Sequence, residues 1–170
     1  MKKRLAPFFY VYNGHINVNI GYMRKLNPFY RLLVIFLTLA ILAKVFGLLQ
    51  DWKEVPLWFM IQVFFLAGIS HFTKMRHEFV KMIPPFVPAK MFWVYFTGVI
   101  EIAGAFDLMN PDRRKLVAWA LIVFLILVFP ANFYAAKNNI HFNKAKPLSV
   151  TQRGFVQVLF IAALYVGGIL

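Results

Sequence analysis

Five stretches of the chain approach the roughly 20 mostly apolar residues that a membrane-spanning helix needs. They lie at residues 29–49, 55–72, 91–108, 116–136 and 155–170. The last is short and carries Gln157, so it either spans or lies along the surface. The connections between them leave no room for a soluble domain, and no internal repeat is evident. Composition agrees: 61% of residues are hydrophobic and 15% charged, against about 45–50% and 25% in soluble domains. The expected fold is all-α, a polytopic transmembrane bundle forming one domain over residues 29–170. Residues 1–28 form a basic, aromatic segment ahead of it.

The formal charge of +13 then reads as a topology signal. Lys2, Lys3, Arg4, Arg24, Lys25 and Arg31 precede or open the first stretch, Lys74, Arg76, Lys81 and Lys90 follow the second, and Lys137, Lys144, Lys146 and Arg153 lie before the fifth. The other side holds Lys53, Arg113, Arg114 and Lys115. Cytoplasmic loops carry the excess of Lys and Arg, so the N-terminus is expected in the cytoplasm and the chain in the cytoplasmic membrane, in contact with its lipids. A nucleic-acid partner explains the charge poorly, because the basic residues are divided among short loops.

The start of the chain resembles a signal peptide only superficially. The apolar run after Arg4 is broken by Pro7 and meets Asn13-Gly14 without a small-residue cleavage pattern, so it is expected to be retained. Asn-Gly suits a type I′ hairpin turn, which needs positive φ at both central residues. The flanks Phe8–Tyr12 and Ile16, Val18, Ile20 are aromatic or alternate. A small hairpin and a basic tail on anionic headgroups are the two readings.

Ionisable groups within hydrocarbon are costly and need a reason. Glu101 is the eleventh residue of the third stretch, about 15 Å from its start at 1.5 Å per residue. Thr97, Gly98, Gly104 and Ala105 fall on its helical face, a small-residue stripe that suits close helix packing. Glu101 is therefore expected to face protein, either as a hydrogen-bond donor or beside a cation. Lys44 is the basic candidate, paired with Glu101 or snorkelling to outer headgroups near Asp51 and Glu54. His71 ends the second stretch on a face with Phe64, Ala67 and Gly68. Pro130, in Phe129-Pro130-Ala131-Asn132, removes a helical hydrogen bond, and Asn132 would satisfy a freed carbonyl or meet His71. Pro84, Pro85 and Pro88 cannot lie in regular helix; they form either a connector or a lid over an opening lined by His71, Phe79 and Asn132.

Taken together, Gly68-x-x-His71-Phe72, Phe79, Ile83-Pro84-Pro85, Pro88, Thr97-Gly98-x-x-Glu101, Arg114, Ala118 and Phe129-Pro130-Ala131-Asn132 resemble the DoxX-like family of small bacterial and archaeal membrane proteins. The resemblance covers roughly residues 60–140. Met75 stands where the family often has proline, and Thr97 where serine is frequent. The N-terminal stretch and first apolar run match little. The resemblance implies four core helices, with the C-terminal stretch as a short fifth segment. It also implies association with membrane redox systems, the family being named for a subunit of a thiosulfate:quinone oxidoreductase.

Three functions follow as expectations. The first is a subunit of a redox system that offers an intrabundle site to a quinone or other lipid-soluble ligand, with Glu101, His71, Asn132, Lys44 and Thr97 as its polar groups and Pro84, Pro85, Pro88, Pro130, Gly98 and Gly104 as its frame. Such a subunit would need a membrane or peripheral oxidoreductase as partner. With no cysteine, the chain cannot relay thiols or hold a thiolate metal centre, so a stand-alone enzyme, a catalytic residue and a bound metal are not expected. The second is a structural or assembly protein, including a homo-oligomer, that binds no small molecule. The third is a small proton-coupled permease, although no duplicated halves are evident.

Overall fold

The computed structural model describes residues 9–12, 15–18, 27–140 and 147–170. It divides into two compact units, Met1–Ile35 and Phe36–Leu170. In the first unit, β1 (Phe9–Tyr12) pairs antiparallel with β2 (His15–Val18), Tyr12 opposite His15. The Asn13-Gly14 turn expected between them lies outside the described residues, as do the basic residues before Asn27. The other described elements are helical.

Helix α1 (Pro28–Val45) starts in this unit and continues into the second. Its start is marked by Pro28 at the first helical position, where a missing N–H costs nothing. The Asn27 side chain accepts from the Phe29 N–H at 3.0 Å. Its end is a Schellman turn: Gly47 takes φ +76°, and Leu48 N–H reaches back to the Ala43 carbonyl, a conformation that glycine enters without Cβ strain. Within residues 36–45, Leu37, Leu39, Ile41, Leu42 and Val45 are all exposed and Ala40 is buried.

Helices α2 (Glu54–Ser70), α3 (Arg76–Met82), α4 (Lys90–Asp107), α5 (Pro111–Lys137) and α6 (Val150–Leu164) follow, and α6 runs into a π-helical segment, Tyr165–Ile169. Among the described residues, three helices are long and apolar enough to cross a membrane: α1, α5, and α6 with its π extension. Apart from the β1–β2 pair, the described elements are therefore all helical, with membrane-spanning character. Helix α2 is apolar but shorter, and α4 carries Lys90, Glu101 and Asp107 within its 18 residues.

Two helices begin about five residues before the apolar runs that announced them, and capping explains both. Asn110 accepts from the Asp112 N–H ahead of Pro111. Ser149 and Gln152 form a reciprocal capping box ahead of α6, which satisfies two otherwise orphaned N–H groups. Helix α3 was not anticipated; it occupies the loop before the prolines.

Helix α2 packs on α4 and α6, and α5 packs on α4 and α6. Glycines set the closest approaches. A Cβ on Gly104 would stand 2.7 Å from Leu121 of α5, on Gly167 2.5 Å from the Leu57 nitrogen of α2, and on Gly168 2.6 Å from Ala118 of α5. The C-terminal segment is thus wedged between α2 and α5, with Leu164 fully buried. Gln157 points inward and donates to the Leu125 carbonyl at 2.6 Å. That carbonyl neighbours Ile126, whose own i+4 donor is lost at Pro130.

Candidate functional site

The site is built where α2 ends against the middle of α4. A Cβ on Gly68 would lie 2.9 Å from the Gly98 carbonyl, and one on Gly98 2.6 Å from the His71 Cβ. Neither helix could come this close with a side chain there. The two small-residue faces therefore meet each other, and His71, at the C-cap of α2, is carried onto the face of α4 that bears Val94, Thr97 and Glu101.

His71 Nδ1 lies 2.7 Å from the Val94 carbonyl and 3.3 Å from the Thr97 hydroxyl. Thr97 is itself held by the carbonyls of Trp93 and Val94, to which its Oγ1 lies at 2.9 and 3.0 Å. His71 Nε2 lies 3.3 Å from Glu101 Oε2. The residue is 8% exposed. The nitrogen–oxygen separation is an ion-pair distance, and no hydrogen bond joins the two groups. Glu101 Oε2 is accordingly buried without a hydrogen-bond partner. From the other side, Phe79 of α3 stacks on the imidazole, with ring centres 4.1 Å apart and planes 11° from parallel.

Of the alternatives open from sequence, neither pairing is the one found. Lys44 does not pair with Glu101. Its Nζ donates to the carbonyls of Leu49 and Gln50 at 3.1 and 2.7 Å, near the Trp52 ring, so it closes the turn after α1, at the end of the helix where snorkelling would take it. Asn132 is paired elsewhere too, its Oδ1 accepting from Arg153 Nη1 at 3.3 Å. Counting residues inward from each apolar run placed His71 at the membrane edge and Glu101 near its centre. The structure brings them level, because α2 stops against the middle of α4 while α3 packs on α4 and α5.

Pro84, Pro85 and Pro88 lie in the non-helical loop between α3 and α4, anchored by Lys90 Nζ on the Ile83 carbonyl at 2.9 Å. Phe86 at its tip is 85% exposed and so does not reach the site. The part of a cover is played by Phe79. Sequence reasoning missed the Val94 carbonyl, which a side-chain pattern does not reveal, and Arg153 as the partner of Asn132. The capping box places Arg153 in the first turn of α6 and was the signal available for the latter. Among the described residues, no three His, Asp or Glu side chains are grouped to hold a metal ion.

The geometry sets a histidine nitrogen and a carboxyl oxygen within ion-pair distance, and that buried oxygen has no hydrogen-bond partner. No curated protein and no solved structure matches the chain, and nothing in these comparisons links it to the DoxX-like family that its motifs resemble. One family profile does match, over residues 60–166, a span that holds His71, Glu101 and Asn132. The chain belongs to the family described as Domain of unknown function (DUF8561).

Proposed function

We propose that the chain is a DoxX-like polytopic protein of the cytoplasmic membrane that offers the His71–Glu101 pair to a quinone or other lipid-soluble ligand on behalf of a partner oxidoreductase. The observation that carries this reading is the buried, unpartnered Oε2 of Glu101 facing the His71 ring. Buried polar atoms are nearly always paired, and one that is not calls for an explanation such as an absent ligand or water. An apolar bundle with a few placed polar groups suits such a molecule. In this reading α2, α4, α5 and α6 form the four-helix core and α1 lies outside it. The N-terminus is cytoplasmic in this reading, which the distribution of Lys and Arg supports.

The test is purification from the native membrane in mild detergent, with identification of extracted lipid-soluble molecules and titration with a short-chain quinone. Saturable binding that Glu101→Gln weakens, with the bundle still folded, supports the reading. Absence of any quinone affinity removes it. A structural role is favoured by a different observation, the Gly68–Gly98 contact that uses the same faces for packing. Under that role Glu101→Gln lowers thermal stability or partner recovery, and no ligand is found.

A further inference from the structure

Helix α4 carries a row of exposed side chains along its length: Phe92, Phe96, Val99, Ala103 and Phe106. They are spaced by three or four residues and so share one face. The row is aromatic in its first turns and aliphatic in the middle. Phe92 and Phe96 stack with ring centres 5.8 Å apart, and Trp93 stands edge-on to both, at 5.5 and 5.9 Å. These three rings are 59%, 44% and 43% exposed, packed on one another and open outward as an aromatic shelf.

Positive charge is brought to the same end of α4. Phe72, just past α2, stacks on Tyr95 with ring centres 5.6 Å apart, which holds the turn bearing Lys74 and Arg76 beside the start of α4. Lys90 opens α4, one turn before Trp93, and donates to the Ile83 carbonyl through one N–H of the three its ammonium has. From Phe72 to Phe96 the sequence holds four Lys or Arg against one acid, Glu78, and Lys81 pairs with that acid at 3.0 Å. Trp and Tyr rings collect at the level of lipid headgroups, and anionic headgroups attract basic residues beside the bilayer. A neutral lipid would leave Lys74, Arg76 and Lys90 without counter-charge. An anion in water would leave the rings wet. A molecule with an anionic phosphate head and hydrocarbon tails meets both needs.

We propose that the start of α4 is a binding site for an acidic phospholipid, with Phe92, Trp93 and Phe96 against its chains and Lys74, Arg76 and Lys90 about its phosphate. This rests on the reading of the chain as a membrane protein and is independent of any ligand at His71.

Tryptophan fluorescence reads the shelf directly. In Trp52→Phe/Trp58→Phe/Trp119→Phe, Trp93 is the remaining indole. The purified full-length chain is reconstituted in mixed vesicles of phosphatidylcholine and phosphatidylglycerol, with dibrominated chains, which quench indole on contact, on one lipid or the other. Quenching is expected to show phosphatidylglycerol bound about fivefold more tightly than phosphatidylcholine, the weight of one Lys or Arg beside an anionic surface. Lys74→Gln/Arg76→Gln, or molar salt, which screens exposed charges, is expected to bring the two lipids close to level; a preference untouched by either overturns the proposal. Excess free glycerol phosphate is expected to leave the preference in place, and if it erases it the site takes a soluble anion and the lipid assignment fails. Should the triple variant not fold, the difference between wild type and Trp93→Phe gives the same reading. Equal quenching by the two lipids, or none at Trp93 while the exposed Trp119 of α5 is quenched in its own single-Trp variant, overturns the proposal and leaves the membrane reading standing. If neither indole is quenched by either lipid, both fail.

Discussion

His71 Nε2 stands 3.3 Å from Glu101 Oε2, and two glycines account for the contact. Gly68 and Gly98 bring the backbones of α2 and α4 together immediately beside the pair. In hydrocarbon, water exclusion does not drive helices together, so close packing and polar contacts between them carry more of the association. The crossing supplies the packing, and the His–Glu contact is the polar group placed at its edge.

The crossing gives the most direct test. In Gly98→Ala the new Cβ would stand 2.6 Å from His71 Cβ and 3.1 Å from the Gly68 carbonyl. The helices must part, at a cost of about 1–3 kcal/mol, typical of overpacking. Gly68→Ala meets Ile102 at 2.6 Å and should cost a similar amount. Gly154→Ala is the control, since nothing lies within 4 Å of its Cβ and replacing a helical glycine gains roughly 0.5–1 kcal/mol. Thermal unfolding in one detergent should therefore move down for the first two and stay level or rise for the third.

Phe79 is the contact through which α3 grips the site. Stacked 4.1 Å from the His71 ring, it contributes about 0.5–1.5 kcal/mol beyond its buried area. Phe79→Ala is expected to loosen the seven-residue α3, which is too short to be stable alone. Hydrogen exchange should speed up in the amides of α3 and leave those of α5 slow. Equal acceleration in both helices would show that Phe79 supports the whole bundle and is no local cover.

Lys44 offers a negative test. Its ammonium is committed to the carbonyls of Leu49 and Gln50, so Lys44→Met should cost about 1 kcal/mol of stability, the worth of such bonds near a surface. It should leave the quinone titration unchanged. A loss of binding as large as that of Glu101→Gln would restore Lys44 to the site.

The helices themselves were legible in the sequence, because a spanning run is long and its apolar character needs no partner to be recognised. Their starts were less so. The runs at 116 and 155 hid helices beginning at Pro111 and Val150, where Asn110 and Ser149 were the signals. The site was legible as a list and not as a set of contacts. His71, Thr97, Gly98 and Glu101 were all selected, yet the pairings weighed for them, Lys44 with Glu101 and Asn132 with His71, did not include the contact between His71 and Glu101. Depth counted along separate helices assumes that they start level. Helix α3 breaks that assumption by packing on α4 and α5 with Phe79 against His71, and nothing in Arg76–Met82 alone reveals it, since seven residues carry too little periodicity to mark a helix.

The absence of cysteine makes the proposed topology directly measurable, because each introduced thiol is then the sole one. Lys53, Lys74, Arg113 and Asn138 are exposed, and they sit in or beside the connections between α1, α2, α4, α5 and α6. Each is replaced singly by Cys, and intact cells are treated with a membrane-impermeant maleimide. If all five helices cross from a cytoplasmic N-terminus, positions 53 and 113 label from outside while 74 and 138 label only after lysis. If only the three long apolar helices cross, position 74 labels from outside together with 53 and 113. Position 74 therefore decides whether α2 and α4, and with them the His71–Glu101 pair, span the membrane. The expected result is protection at 74, because α2 and α4 are each about 26 Å long at 1.5 Å per residue, close to the hydrocarbon thickness of roughly 30 Å.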